Sequence, residues 1–387
     1  ACSYFLPNTT PTLGGLLADK GDTRPFETPL PINTEPKRMA LGSMFTIGVK
    51  ADGTVWSWGS GSSGELGRGD YNEQANEPRI IPNMKDFMEI VAGSRHVLAL
   101  RKDGTVWSWG NNEKGQLGYK EDGHIEPNYY RAFQKKPKQI PDLKNIVSIA
   151  AGSNYSLALD KEGRVWGWGS KLYVFSQDLN FKQPTPKLIT QDVNAVKVIG
   201  KAPSDFGLLL KTGNVKLWRK GVLFEPVIDN VVDVAMNYSN TYFLLSTGRV
   251  YALGTNYSGE LGQRHKEEFK HPLLIKQIGH IIKIDTYSAL DDKGRVWQWG
   301  REAGMSIDKI FSGTNGYVQY YPKVMLSNKN IRDISCCTAA LAEDGTVWFW
   351  GDDSAGRRGD NKRPKGSYQL QTHRHWTTPV RSLWRWK

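Results

Sequence analysis

One hairpin signature recurs seven times along this chain, and it narrows the possible folds more than any other feature. The signature is V-W-x-W-G, preceded by a glycine turn. Aligned on the residue after the strand valine, the copies fall at Trp56, Trp107, Trp166, Lys216, Tyr251, Trp297 and Trp348, with spacings of 51, 59, 50, 35, 46 and 51 residues. Five read V-W-x-W-G outright; V-Y-A-L-G (250–254) is a near match and V-K-L-W-R (215–219) a degraded one. Each follows an alternating apolar strand and a turn, with Asp-Gly at 52–53, 103–104 and 344–345. Elsewhere the turn is Glu162-Gly163, Thr212-Gly213, Thr247-Gly248 or Lys293-Gly294. Gly supplies the positive φ of a two-residue hairpin, so each pair predicts two antiparallel strands.

A repeat of this length holds about four short strands. One such sheet cannot bury both faces, whereas seven arranged radially can, and a closed ring leaves few exposed edges. The expected fold is all-β, a seven-bladed β-propeller of four-stranded blades. The two Trp of W-x-W project to one side of their strand and are expected to pack blade against blade. Pro78, Pro137, Pro184, Pro226, Pro272 and Pro322 fall in the segments leading to the next blade, where a proline is tolerated. Residues 26–32 (FETPLPI) and 377–386 (TTPVRSLWRW) are candidates to complete one blade from both termini. On this reading residues 1–25 are an extended lead-in and 26–387 one propeller.

W-G-S-G-S-S-G-E-L-G (58–67) contains G-x-G-x-x-G, the fingerprint of a dinucleotide loop. That fingerprint needs a helix whose N-terminal amides face the pyrophosphate. The residues after Gly67 lack helical periodicity and carry Pro78 and Pro82. The sister segments at 109–118, 253–262 and 350–359 keep the outer glycines and lose the middle one. The recurring unit is W-G-x4-G-x-L-G, and no cofactor is expected.

The catalytic inventory is equally thin. No nucleophile elbow, H-E-x-x-H, Walker loop or Cys/His metal spacing occurs, so neither a catalytic nor a metal site is expected. His96 occupies a repeated His/Tyr/Phe position beside Phe45 and Tyr155 and reads as structural. H-R-H (373–375) reads as a solvated basic segment. Three cysteines cannot form a disulfide framework. No run of 18 apolar residues predicts a transmembrane helix. The compartment stays open, an extracytoplasmic bacterial location included. Net charge is +12, and residues 354–387 supply +8 of it through nine basic residues against Asp360. Such a cluster suits nucleic acid, an acidic protein or an anionic surface.

The segment V-A-G-S-R-H-V-L-A-L-R-K-D-G-T-V-W-S-W-G-N-N-E-K-G-Q-L-G (91–118) resembles the repeat of the regulator of chromosome condensation family. The likeness covers about residues 40–360, is strongest in blades one to three and seven, and is nearer to bacterial members in its paired Trp. It implies a seven-bladed propeller that acts without catalysis, as a protein-interaction scaffold. It also implies alternatives: an exchange regulator of a small GTPase, or a proteinaceous inhibitor of a β-lactamase.

Three stretches depart from the repeat, all directly after the W-x-W-G strand, so all are expected on one side of the ring. They are 119–139 with Tyr129, Tyr130, Phe133, Lys135 and Lys136, 170–183 with Tyr173 and Phe175, and 301–321 with Phe311, Tyr317 and Tyr320. Aromatic side chains are enriched at protein interfaces, so these ten residues are the candidate contacts to a protein partner. Their bland alternative is to tuck under their own loops. In the tail, Trp384 and Trp386 alternate as in a closing strand; interleaved with basic residues they also suit nucleic acid.

Overall fold

The chain was examined as a computed structural model, which describes residues 21–70, 73–120, 133–201, 203–256, 261–262, 269–301, 318–335, 339–352 and 375–387. Its strands form seven antiparallel four-stranded sheets. The first holds β1–β4 (Met39–Leu41, Phe45–Val49, Val55–Gly61, Glu73–Ile80) and the second β5–β8 (Phe87–Ala92, His96–Arg101, Val106–Asn111, Phe133–Gln139). The third holds β9–β12 (Ile146–Ala151, Tyr155–Asp160, Arg164–Ser170, Lys182–Gln191) and the fourth β13–β16 (Ala195–Gly200, Phe206–Leu210, Val215–Arg219, Val222–Phe224). The fifth holds β17–β20 (Val231–Met236, Asn240–Leu245, Val250–Gly254, Phe269–Leu274) and the sixth β21–β24 (Ile281–Asp285, Ser288–Asp291, Val296–Arg301, Val318–Leu326). The seventh holds β25–β28 (Ile331–Ser335, Ala339–Ala342, Thr346–Asp352, His375–Arg385). The sheets stand as blades in a ring, a seven-bladed β-propeller, with the first strand of each blade innermost.

The hairpins differ from the expected two-residue turns. Lys50 N–H donates to Thr54 O and Gly53 N–H to Lys50 O, which closes a three-residue loop. Gly53 alone takes positive φ, +82°, while Asp52 keeps an ordinary conformation. The Asp52 carboxylate accepts from the amide (2.9 Å) and hydroxyl (2.6 Å) of Thr54, and these bonds hold its pKa below the usual range. That local side-chain bond favours a type I turn with a glycine bulge. The Thr54 hydroxyl in turn accepts the indole N–H of Trp56, the half-buried first Trp of the motif.

The second Trp of the motif joins blade to blade. Trp58, Trp109 and Trp168 are fully buried. Trp109 Nε1 donates to the carbonyl of Glu65 (2.7 Å) in the glycine loop of the preceding blade, and Trp168 Nε1 donates to that of Gln116 (2.9 Å). A Cβ on Gly67 or Gly118 would lie 2.9 Å from the same indole nitrogens. The G-x-L-G loop therefore seats a neighbour's indole. Among the described residues this loop leads into no helix.

A second seat recurs at the start of the first three blades. Phe45, His96 and Tyr155 rest on Gly42, Gly93 and Gly152, where a Cβ would come within 2.1, 2.2 and 1.9 Å of the ring. His96 is completely buried, and its Nε2 lies 2.9 Å from Ser156 Oγ. That hydroxyl donates to Gln116 O, so His96 supplies the hydrogen to it.

Ring closure departs from expectation. Every blade is built from four consecutive strands, and residues 26–32 form no strand. Residues 377–386 lie mostly in β28, the outer strand of the last blade, and meet blade one by packing. Trp384 lies 5.4 Å from Trp58 and covers Gly48, while Ser335 Oγ donates to Met39 O (2.8 Å). The prolines also sit differently: Pro78, Pro137, Pro184, Pro272 and Pro322 lie within outermost strands, where a missing N–H faces no neighbouring strand.

Two outcomes follow from this packing. Trp109→Phe removes an interblade hydrogen bond and leaves the Glu65 carbonyl buried, at a cost of about 3 kcal/mol in urea unfolding, against about 1 kcal/mol or less for Trp107→Phe. Burial holds the His96 pKa down to about 4, from an ordinary 6.5. The unfolded chain therefore takes up that proton first as pH falls, and stability is lost between the two values. His96→Phe, which copies the blade-one seat, should retain about 2 kcal/mol that wild type loses between pH 7 and pH 5.

Candidate functional site: two unequal faces and a strapped channel

The strand order gives the ring two different faces. One carries the seven glycine hairpins and the linkers between blades. The other, here the insertion face, carries the turns between first and second strands and the connections between third and fourth. The long insertions of blades two, three, six and seven all leave from third strands, so all are rooted on the insertion face.

The hairpin face is covered by an element absent from the repeat pattern. Residues 21–37 form a strap that begins against blades five and six. Gly21 N–H donates to Gln277 O (2.9 Å), Phe26 N–H to Thr247 O (3.0 Å) and Leu30 N–H to Ser246 O (2.8 Å). The Phe26 ring lies 4.5 Å from that of His280. The strap then crosses the channel mouth. Asn33 donates to Asp233 (2.9 Å), Glu35 pairs with Lys283, and Lys37 N–H reaches Glu89 of blade two (3.1 Å).

Beneath the strap, one position of each innermost strand forms a ring. Glu89, Ser148, Lys197, Asp233, Lys283 and Asp333 are each the residue paired with a leucine of the second strand, just after a bulge. Arg38 is its blade-one counterpart. Apart from Ser148, the sign alternates from blade to blade. Lys197 donates to Asp233 at 2.7 Å, with side-chain exposures of 13% and 1%, and Lys283 lies 3.6 Å from Asp333. Burial opposes the Asp233 charge, yet Lys197 and Lys37 hold its pKa below the usual range. Glu89 is buried with backbone N–H partners, and desolvation outweighs those bonds and the pull of Lys197 and Lys37 and pushes its carboxyl upward. Further along, Ala92, Ala151, Gly200 and Ala235 line a channel cavity of about 130 Å³. These ring residues went unread in the sequence, where an A-G pair marks the position only in blades two and three, three residues after Glu89 and Ser148.

The ten expected contact residues separate. Tyr129, Tyr130, Phe311 and Tyr317 lie outside the described residues, and Tyr320 is on β24, with its side chain outside them. Phe133, Lys135 and Lys136 belong to outer strand β8, not to a loop: a Cβ on Gly64 would lie 2.7 Å from the Lys135 Cα, and Lys135 O accepts from Gly69 N–H. Strand pairing with Asn111 draws this segment into the sheet. Tyr173 and Phe175 are half-buried on blade three's insertion; Phe175 packs on the core shared with blade four, under Lys187 at 4.9 Å. On the same insertion Leu179 is exposed. Trp384 and Trp386 are buried, so neither indole is available to stack on a base. Among the described residues no group of three His, Cys, Asp or Glu could hold a metal, and no helix is long and apolar enough to cross a membrane.

The family model for the regulator of chromosome condensation (RCC1) repeat matches residues 52–100 and 103–159, and a second model for that repeat matches 89–116. This chain carries RCC1 repeats. The matched segments contain the Trp109-to-Glu65 junction of blades one and two and Gln116, the acceptor in the next junction. The human probable E3 ubiquitin-protein ligase HERC6 is 30% identical over 252 residues, 64% of this chain and 21% of that protein. The zebrafish protein RCC2 homolog is 26% identical over 347 residues, 84% of this chain and 63% of that one. This chain thus spans about a fifth of HERC6. The crystal structure of Prp20p from Saccharomyces cerevisiae superposes with a TM-score of 0.67 at 19% identity, covering 91% of this chain and 87% of that one, and shares the fold.

Within this RCC1-repeat ring the buried and exposed ion pairs should separate cleanly. Asp233→Ala strands Lys197 in the channel wall and costs about 3 kcal/mol or more in denaturant unfolding. Glu35→Ala, at an exposed carboxylate of the strap, costs about 1 kcal/mol or less.

Proposed function

We propose that this propeller is a non-catalytic protein-binding module that engages its partner through the insertion face. The carrying observation is the asymmetry of the two faces. Every long insertion is rooted on one face, while short hairpins and the strap occupy the other. A rigid ring that holds several loops on one face orders them in advance and lowers the entropic cost of binding. Exposed Leu179 offers an apolar contact there, and Tyr129, Tyr130, Phe311, Tyr317 and Tyr320 belong by sequence to the same set. The net charge of +12 favours a partner with acidic surface. Names of related proteins agree with an interaction role: Prp20p is described by its binding to Gsp1p and histones, and the yeast protein was also solved bound to Kap60.

Affinity capture from source lysate at low and high salt tests this reading. Wild type is compared with a variant carrying Tyr129→Ala, Tyr130→Ala and Leu179→Asp. The expected result is a protein partner retained at high salt and lost at least tenfold in the variant, with unchanged thermal stability. Nucleotide release from a captured small GTPase, or inhibition of a captured hydrolase, then separates exchange regulation from enzyme inhibition. Recovery of nucleic acid alone, abolished by salt and indifferent to the loop changes, overturns the reading and moves function to the basic tail.

A further inference from the structure

The seven outermost strands are sheet edges, with backbone groups open to a foreign strand. Six carry a proline inside the strand: Pro78 in β4, Pro137 in β8, Pro184 and Pro186 in β12, Pro272 in β20, Pro322 in β24 and Pro379 in β28. The seventh, β16 of blade four, reads Val222-Leu223-Phe224 and has none. Its exposed side chains are aliphatic: Val222 is 69% exposed, Leu223 47%, and Val227 just beyond it 91%.

The backbone of this edge faces outward at a defined place. Lys220 and Gly221 both take positive φ, +48° and +82°, so β15 and β16 are joined by the one turn here with the geometry of a two-residue type I′ hairpin. In that register Arg219 pairs with Val222 and Leu217 with Phe224. Antiparallel pairing alternates, so the N–H and C=O of Leu223 point away from the sheet; the strand ends at Phe224 and Pro226 follows.

We propose that the outer edge of blade four is a strand-addition site for an extended aliphatic segment, flanked by acidic residues, of a different protein. Main-chain hydrogen bonds to the N–H and C=O of Leu223 set the register, and Val222, Leu223 and Val227 take aliphatic side chains. Lys220 is exposed at the turn and Lys211 at the opposite end of the blade, against Glu225, Asp229 and Asp205, so the preference for acidic flanks rests on the net charge of +12. A second copy of the chain is a poor occupant, because both copies carry +12. The site lies on the rim and is independent of the insertion-face reading.

The probe is a fluorescein-labelled peptide, DEVTVTVED, titrated against the full chain by fluorescence anisotropy. Leu223→Pro gives blade four the protection of the other six edges, and the lost N–H is one that β15 does not use. The expected result is saturable binding by wild type, weakened at least tenfold by Leu223→Pro and by Leu223→Lys. Ile80→Lys on the proline-bearing edge β4, and Leu179→Asp on the insertion face, should bind as wild type does. Leu223→Lys keeps the backbone intact and decides the matter where the proline variant unfolds. Absence of wild-type binding, or binding by both Leu223 variants as tight as that of wild type, overturns the proposal. A wild-type dimer in sedimentation that Leu223→Pro converts to monomer also overturns it, because the occupant is then a second copy.

Discussion

The ring rests on one contact: an indole N–H of one blade donating to a glycine-loop carbonyl of the blade before it. A four-stranded sheet has two apolar faces and no means of covering either alone. In blades two and three the second Trp of the motif fills the wedge between sheets, and its one polar atom is satisfied by the neighbour. Glycine is required at positions 67 and 118 because the indole occupies the space a side chain would need. Where this loop is replaced, the next blade changes with it. Blade three substitutes Leu172 and Phe175, and blade four answers with Phe206 stacked on Trp218 at 5.0 Å. The degraded V-K-L-W-R copy thus follows a loop that lacks G-x-L-G, and blade four's own two-residue turn precedes the near match V-Y-A-L-G.

The channel follows a different logic. Innermost strands converge, so their side chains are small where the backbone is close, as at Ala92, Ala151, Gly200 and Ala235. At the hairpin-face end each blade contributes one polar residue, and alternation of sign turns repulsion around a narrow ring into attraction. The strap completes this arrangement by bonding to blades five and six and then to blade two. It occupies one mouth of the channel.

Much of the fold was legible because its signals are local. Strand alternation, the turn glycines and the paired Trp all act within about fifteen residues, and seven copies reinforce one another. The expected hairpin type was one residue short because Asp52 bonds to Thr54, a detail that the Asp-Gly pair alone does not convey. The site was less legible. Phe133, Lys135 and Lys136 looked like loop residues, since nothing local announces that β8 begins there. Trp384 and Trp386 looked equally ready for a base or a core, and the choice was made by Trp58 and Gly48, more than 300 residues away.

By itself the sequence determined the class of fold, the number of blades and the residues that pack between them, because a repeated hairpin has few ways to bury its apolar stripes. Tertiary structure alone decided how the ring closes, what crosses its channel and which edge is left unguarded. Those outcomes depend on single contacts between distant segments, such as Asn33 with Asp233 and Ser335 with Met39, which repeat nowhere else in the chain. A periodic pattern reveals what every blade shares, and the strap, the closure and the bare edge of blade four are what the blades do not share.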